Sequence, residues 1–121
     1  MILCITATGK TLDAQVDPRF GRAAFFIIYD TEAKAFEAVE NKQRLDAPQG
    51  AGVQSAAAVV KTGATAVLTG NCGPKAFRVL EAGNVAVYIG LNNMTVQQAI
   101  DQFLSGGLQP AGAANVEGHW A

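Results

Sequence analysis

The hydrophobic period of this chain changes near residue 53, and that change restricts the folds open to it. Upstream, apolar residues come in short runs: Met1 to Ala7, then Ala24 to Tyr29, then the looser alternation Ala35 to Val39. Such runs read as strands; the first, apolar almost throughout, reads as one buried on both faces. Downstream, Val53, Ala56, Ala57 and Val60 recur at helical spacing and end at Gly63. From there strands and helices alternate. Thr65 to Thr69 is a strand, Pro74 opens a helix whose apolar face is Phe77 and Leu80, and Gly83 closes it. Val85 to Ile89 is a fifth strand. Thr95 and Gln98 then form a capping box ahead of Val96, Ala99, Ile100 and Phe103, with Gly106-Gly107 at the far end.

The order is therefore β-β-β-α-β-α-β-α. The first three strands can form an antiparallel meander, while the later β-α-β steps require right-handed parallel crossovers. The expected fold is α/β: a mixed five-stranded sheet with about three helices on its faces. Residues 1–107 are expected to form one domain, and Leu108 to Ala121, rich in Ala, Gly and polar residues, a flexible tail.

Composition agrees with one domain. Half of the 121 residues are hydrophobic and 16% are charged, so there is material for a continuous core without disulfide staples. Nine basic and ten acidic residues give a net charge of −1. That balance argues against a chain built to coat nucleic acid or an anionic membrane. With two cysteines, no basic leader ahead of the first apolar run and no stretch long enough to span a bilayer, a cytoplasmic protein is expected.

In an open sheet of this kind ligands bind beyond the carboxyl ends of parallel strands. The loops at Thr8 to Ala23 and Gly70 to Pro74 should lie at that edge, and the loop at Pro48 to Gly52 should face it. Each carries glycine, so backbone amides can approach a ligand, and two lead into helix N-termini, which favour anions. Arg19, Arg22 and Lys75 would add positive charge. Together these describe a pocket for a compact anion; the alternative is that the glycines only make turns and the arginines are solvated.

Cys72 lies in Gly70-Asn71-Cys72-Gly73-Pro74, just ahead of a helix, where the amide field should lower a thiol pKa and favour a soft metal. A small residue filling a tight turn is the other reading. Cys4, inside the first strand, is assigned to the core, and His119 and Trp120 to the tail. Other chemistries lack their parts. There is no four-cysteine set for an iron–sulfur cluster, no phosphate-binding glycine fingerprint, and no histidine but His119 for a triad. The sheet order resembles that of ribonuclease-H-like nucleases, yet Ile2 to Ala7 and Thr65 to Thr69 hold no carboxylate for magnesium.

Val16-Asp17-Pro18-Arg19-Phe20-Gly21-Arg22-Ala23, Gly50-Ala51-Gly52 and Leu68-Thr69-Gly70-Asn71-Cys72-Gly73-Pro74-Lys75-Ala76-Phe77 resemble the dinitrogenase iron–molybdenum cofactor biosynthesis family. Val87-Tyr88-Ile89-Gly90 and Thr95-Val96-Gln97-Gln98-Ala99-Ile100 continue the likeness, which extends to about Leu108. The resemblance implies a three-layer ribonuclease-H-like fold without nuclease residues, and members that bind or ferry molybdenum- or iron-containing sulfide clusters. Nitrogenase-associated members carry a histidine directly before Phe-Gly that helps hold the cofactor. Here that position is Arg19, so the chain is more similar to small free-standing members, among them one that holds a molybdenum–copper sulfide cluster.

The resemblance thus implies a non-catalytic carrier of a non-covalently held molybdenum–copper sulfide cluster, with an iron–molybdenum sulfide as the alternative cargo. Arg19, Arg22 and Lys75 would balance its charge, amides around Gly21, Gly50, Gly52, Asn71 and Gly73 would donate to sulfide, Phe20 would shield one side, and Cys72 would be an optional ligand. The expected partners are the cluster and a recipient protein, the chain being a monomer or weak homodimer. An adaptor domain that binds a protein without any cluster is the competing function, and a phosphate-ester hydrolase a distant third.

Overall fold

A computed structural model describes residues 1–42 and 51–112. The strands are β1 (Ile2–Ala7), β2 (Phe25–Asp30), β3 (Ala35–Glu40), β4 (Ala66–Leu68) and β5 (Ala86–Tyr88). The helices are α1 (Ala51–Lys61), α2 (Pro74–Ala82) and α3 (Val96–Leu104). The chain order is the expected one.

The five strands form one sheet in the order β3-β2-β1-β4-β5. β1 lies in the middle, antiparallel to β2 with Ile5 opposite Ile27 and parallel to β4 with Ile5 opposite Leu68. β2 pairs antiparallel with β3, and β4 parallel with β5. β1, β3, β4 and β5 therefore run one way and β2 the other, which gathers four carboxyl ends at one edge.

The apolar run that opens the chain supplies both cores. Leu3, Ile5 and Ala7 face one side with Ile27, Leu68 and α3 residues Val96, Ala99 and Ile100. Cys4 faces the other with Phe26, Val67, Val87, Ala56 and Val59 of α1, and Ala76, Phe77 and Leu80 of α2. The result is the expected three layers, with α1 and α2 on one face and α3 on the other.

Local details depart from the sequence reading in three places. The buried stripe of α1 is Gly52, Ser55, Ala56 and Val59 rather than Val53, Ala56, Ala57 and Val60. The helix is rotated so that Ser55 reaches a buried polar group described below. Gly83 closes α2 with φ −86, a conformation open to any residue. Its requirement is space, because a Cβ there would sit 2.7 Å from Val60 Cγ2 on α1. Residues 108–112, read as the start of a loose tail, are fastened: Leu108 packs on the α3-side core and the Ala111 N–H donates to the Val87 carbonyl at 2.7 Å. His119 and Trp120 lie outside the described residues.

The capping box is present as read: Thr95 Oγ1 accepts from the Gln98 N–H at 3.1 Å, and Gln98 Oε1 accepts from the Thr95 N–H at 2.8 Å. Among the described residues no helix is long and apolar enough to cross a membrane.

Candidate functional site

Four connections leave the edge where β1, β3, β4 and β5 end, and hydrogen bonds join them. The longest, residues 8–24, is a stitched loop. The Asp17 N–H donates to the Thr6 carbonyl at 2.9 Å, Val16 N–H to the Met94 carbonyl at 2.9 Å, and Phe20 N–H to the Asn71 carbonyl at 3.2 Å. Through the last of these Arg19 and Asn71 form a lone parallel bridge between the first loop and the one after β4. Asn71 Nδ2 closes the same junction by donating to the Pro18 carbonyl at 2.9 Å. The two loops expected to meet do meet.

Two buried polar groups underlie the junction. Thr6 at the end of β1 and Thr69 just past β4 are joined hydroxyl to hydroxyl at 2.8 Å, and the Thr6 hydroxyl lies 2.7 Å from the Asp17 carbonyl oxygen. On the other side, Asn41 just past β3 donates from Nδ2 to the carbonyls of Gly21 at 3.1 Å and Ala23 at 3.0 Å. Ser55 of α1 donates to Asn41 Oδ1 at 3.0 Å. Buried amides and hydroxyls of this kind are costly unless satisfied, so each group pins its loop in one position. Sequence reasoning missed both groups. Nothing in the spacing of Thr6 and Thr69, or of Asn41 and Ser55, marks them as partners.

The candidate residues divide by what the structure exposes. Arg19 and Lys75 are exposed, Arg22 and Asn71 half-buried, and Gly21, Gly52 and Gly73 buried. Gly50 lies outside the described residues. Gly73 caps α2 in an extended conformation ahead of Pro74, and its carbonyl accepts from the Phe77 N–H at 3.0 Å. Proline brings no N–H, and the amides of Lys75 and Ala76 have no hydrogen-bond partner among the described residues. The start of α3 differs: the carbonyls of Ala14 and Leu12 take the Val96 and Gln97 amides, each at 2.9 Å, and Thr95 takes that of Gln98. Of these two helix starts, the one left open to an anion among the described residues is that of α2, next to Asn71.

Two expectations need correcting. Phe20 does not stand over the site. It is fully buried and its ring packs on that of Phe26, with centroids 5.6 Å apart. An aromatic side chain in this loop gains more by turning into the core, as Val16 and Ala23 of the same loop do, than by covering a surface. Cys72 is also fully buried, in the same core, its thiol 3.7 Å from the Gly73 carbonyl oxygen. Burial pushes that thiol up to about 12, opposite to the lowering expected from the helix start, because the thiolate would lose its hydration there. Among the described residues no three His, Cys, Asp or Glu side chains come together as a metal-ion site.

The loop after β5 was not among those the sequence reading placed at the site. Gly90 N–H donates to the Gly70 carbonyl at 2.9 Å and Leu91 N–H to the Thr69 carbonyl at 3.2 Å. A Cβ on Gly70 would run into Asn92 Oδ1 and would lie 2.7 Å from Pro18 Cα. Glycine at 70 therefore lets three loops close on one another, and the third loop brings its own carboxamide.

Comparison with known proteins agrees with the fold. The profile of the family described as dinitrogenase iron-molybdenum cofactor matches residues 1–106. An uncharacterized protein of Methanocaldococcus jannaschii is 33% identical over 98 residues, covering 78% of this chain and 81% of that protein. The apo form of the orange protein from Desulfovibrio gigas superposes with a TM-score of 0.92 at 41% identity, covering 95% of this chain and 96% of that one. A putative NifB protein from Thermotoga superposes with a TM-score of 0.82 at 38% identity, covering 97% and 98%.

Proposed function

The chain belongs to the dinitrogenase iron-molybdenum cofactor family, and from that premise we propose that it binds and carries an anionic metal–sulfide cluster without catalysing a reaction. Membership and the likeness to the orange protein support a cofactor-related binding or carrier role. The finer assignment, a molybdenum–copper sulfide with an iron–molybdenum sulfide as the alternative, draws on the motifs shared with small free-standing members.

The observation that carries the reading is the Arg19–Asn71 bridge. It sets the backbone of a cationic loop beside an α2 start whose Lys75 and Ala76 amides have no partner among the described residues. A thiomolybdate-based cluster is a preformed anion whose sulfides already satisfy its metals. Such a cargo needs charge balance, N–H donors and a fitting surface rather than protein thiolates, and the buried, protonated Cys72 agrees with that division. Arg19, Arg22 and Lys75 supply charge, and the amides following Gly73 supply donors. The cargo's recipient is a second protein, and the work is done in the cytoplasm by a monomer or weak homodimer.

A partner-binding adaptor without a cluster is the second reading, favoured by the open edge strand β3 with Phe36 and Val39 exposed at 42% and 39%. One experiment separates the two. The apo-protein is titrated with tetrathiomolybdate and copper, desalted, and analysed for colour and metal. The carrier reading expects a coloured species at fixed metal-to-chain ratio, weakened in Arg19→Ala and more so in Arg19→Glu. Complete loss of metal on desalting, with the spectrum of free cluster, would overturn it.

A further inference from the structure

We propose that Asn92, on the loop between β5 and α3, is a cluster-contacting residue that forms a third wall of the site and favours thioanions through its side-chain N–H groups. The inference rests on the carrier reading and extends it to a loop that carries no charge and to a residue outside the motifs named above.

The placement is specific. Asn92 Oδ1 occupies the space where a side chain at residue 70 would begin, beside the Cα and carbonyl of Pro18. Pro18 directly precedes Arg19, and its carbonyl also accepts from Asn71 Nδ2. One carboxamide, that of Asn71, thus bonds the Pro18–Arg19 segment, and a second, that of Asn92, stands over Gly70 beside the same junction. Asn92 is exposed, and among the described residues no hydrogen bond engages its carboxamide. With the oxygen turned toward Gly70, the N–H donors of Nδ2, which have no partner among the described residues, are available to a ligand resting on the junction. The loop is not adrift: Gly90 and Leu91 donate to Gly70 and Thr69, and the Met94 carbonyl accepts from Val16.

The neighbouring Asn93 provides the contrast. Its side chain lines a different, open groove along α3 with Met94, Gln98, Asp101 and Gln102. A charge placed at 93 is one residue away in sequence but serves another surface.

Sulfide of a thiometallate is an acceptor, so a carboxamide N–H donates to it, whereas a carboxylate of the same shape repels it. Asn92→Asp keeps the oxygen against Gly70 and exchanges only the donor for a negative charge. The test uses the whole chain and a cluster assembled from tetrathiomolybdate and copper(I). We expect Asn92→Asp to weaken retention about tenfold or more and Asn92→Ala by less, with Asn93→Asp within about twofold of the parent and all three melting alike. In the parent protein the Asn92 side-chain amide resonances should shift on cluster addition while those of Asn93 stay. If the parent holds the cluster, Arg19→Ala weakens it, and Asn92→Asp matches Asn93→Asp with an unmoved Asn92 amide, the inference is overturned and the carrier reading stands. If the parent holds no cluster, both fall.

Discussion

Thr6 of β1 and Thr69, just past the neighbouring parallel strand β4, meet through their hydroxyls at 2.8 Å, and neither has any exposed surface. A hydroxyl has one proton. With Thr69 donating to Thr6, Thr6 is free to donate to the Asp17 carbonyl at 2.7 Å, and both hydroxyls and the carbonyl are satisfied in one chain. That chain starts one residue before Gly70 and ends two residues before Arg19, so it sets the height of one site loop against the other. Thr6→Val removes the middle member at nearly constant volume. It should cost about 1–3 kcal/mol in urea unfolding, with Thr6→Ser recovering most of the loss. Equal stability of the two variants would show the chain to be unimportant.

Asn41 plays the corresponding part under the other side of the first loop. Asn41→Ala removes the donor to the Ala23 carbonyl and the shorter of two donors to the Gly21 carbonyl, and leaves Ser55 only its 3.4 Å bond to Gly21, in a place only 1% exposed. A loss of about 2–4 kcal/mol is expected, larger than for Ser55→Ala, which removes a single donor. The ranking of the two is the check, and thermal or urea unfolding reads it.

Gly70→Ala tests the closure of three loops. The added methyl meets Asn92 Oδ1, which can swing away, and Pro18 Cα at 2.7 Å, which cannot without moving the loop. Overpacking against backbone should cost about 1–3 kcal/mol and lower cluster retention together with stability. An unchanged melting temperature would show that the first loop yields at no cost.

The cysteines give a pH signature. Burial pushes the Cys72 thiol from an ordinary value near 9 to about 12, and Cys4 higher still. Between those values the folded chain keeps a proton that the unfolded chain has released. Stability is therefore unaffected below about pH 9 and falls as pH rises through the window, by about 1.4 kcal/mol per pH unit for each thiol. Cys72→Ala should flatten the upper-pH slope by one thiol's share. At neutral pH both thiols should resist iodoacetamide until denaturant is added; rapid labelling of native Cys72 would contradict its burial.

The fold was legible because its determinants are local. Apolar runs in the first forty residues and glycine- or proline-bounded helices after Val53 fix element order without knowledge of contacts, and the capping box at Thr95 is written within four residues. The meeting of the Arg19 loop with the Asn71 loop was legible for a topological reason, since parallel strands put their following loops at one edge. Side-chain direction was not legible. Phe20 sits in the first loop yet turns inward to Phe26, and Cys72 is governed by burial that only the folded core supplies. The links that tune the site pair residues as far apart as Thr6 and Thr69, or Gly70 and Asn92, and no periodicity connects them.

The two borders of the sheet are finished differently. At β5 the chain returns and Ala111 takes the Val87 carbonyl, so that border is occupied by the molecule itself. At β3 the six residues Ala35–Glu40 have no described strand beyond them, and Phe36 and Val39 are exposed there beside Glu37 and Glu40. Among the described residues, then, the sheet edge left with unpaired backbone groups is that of β3, on the side of the sheet away from the Gly70 junction.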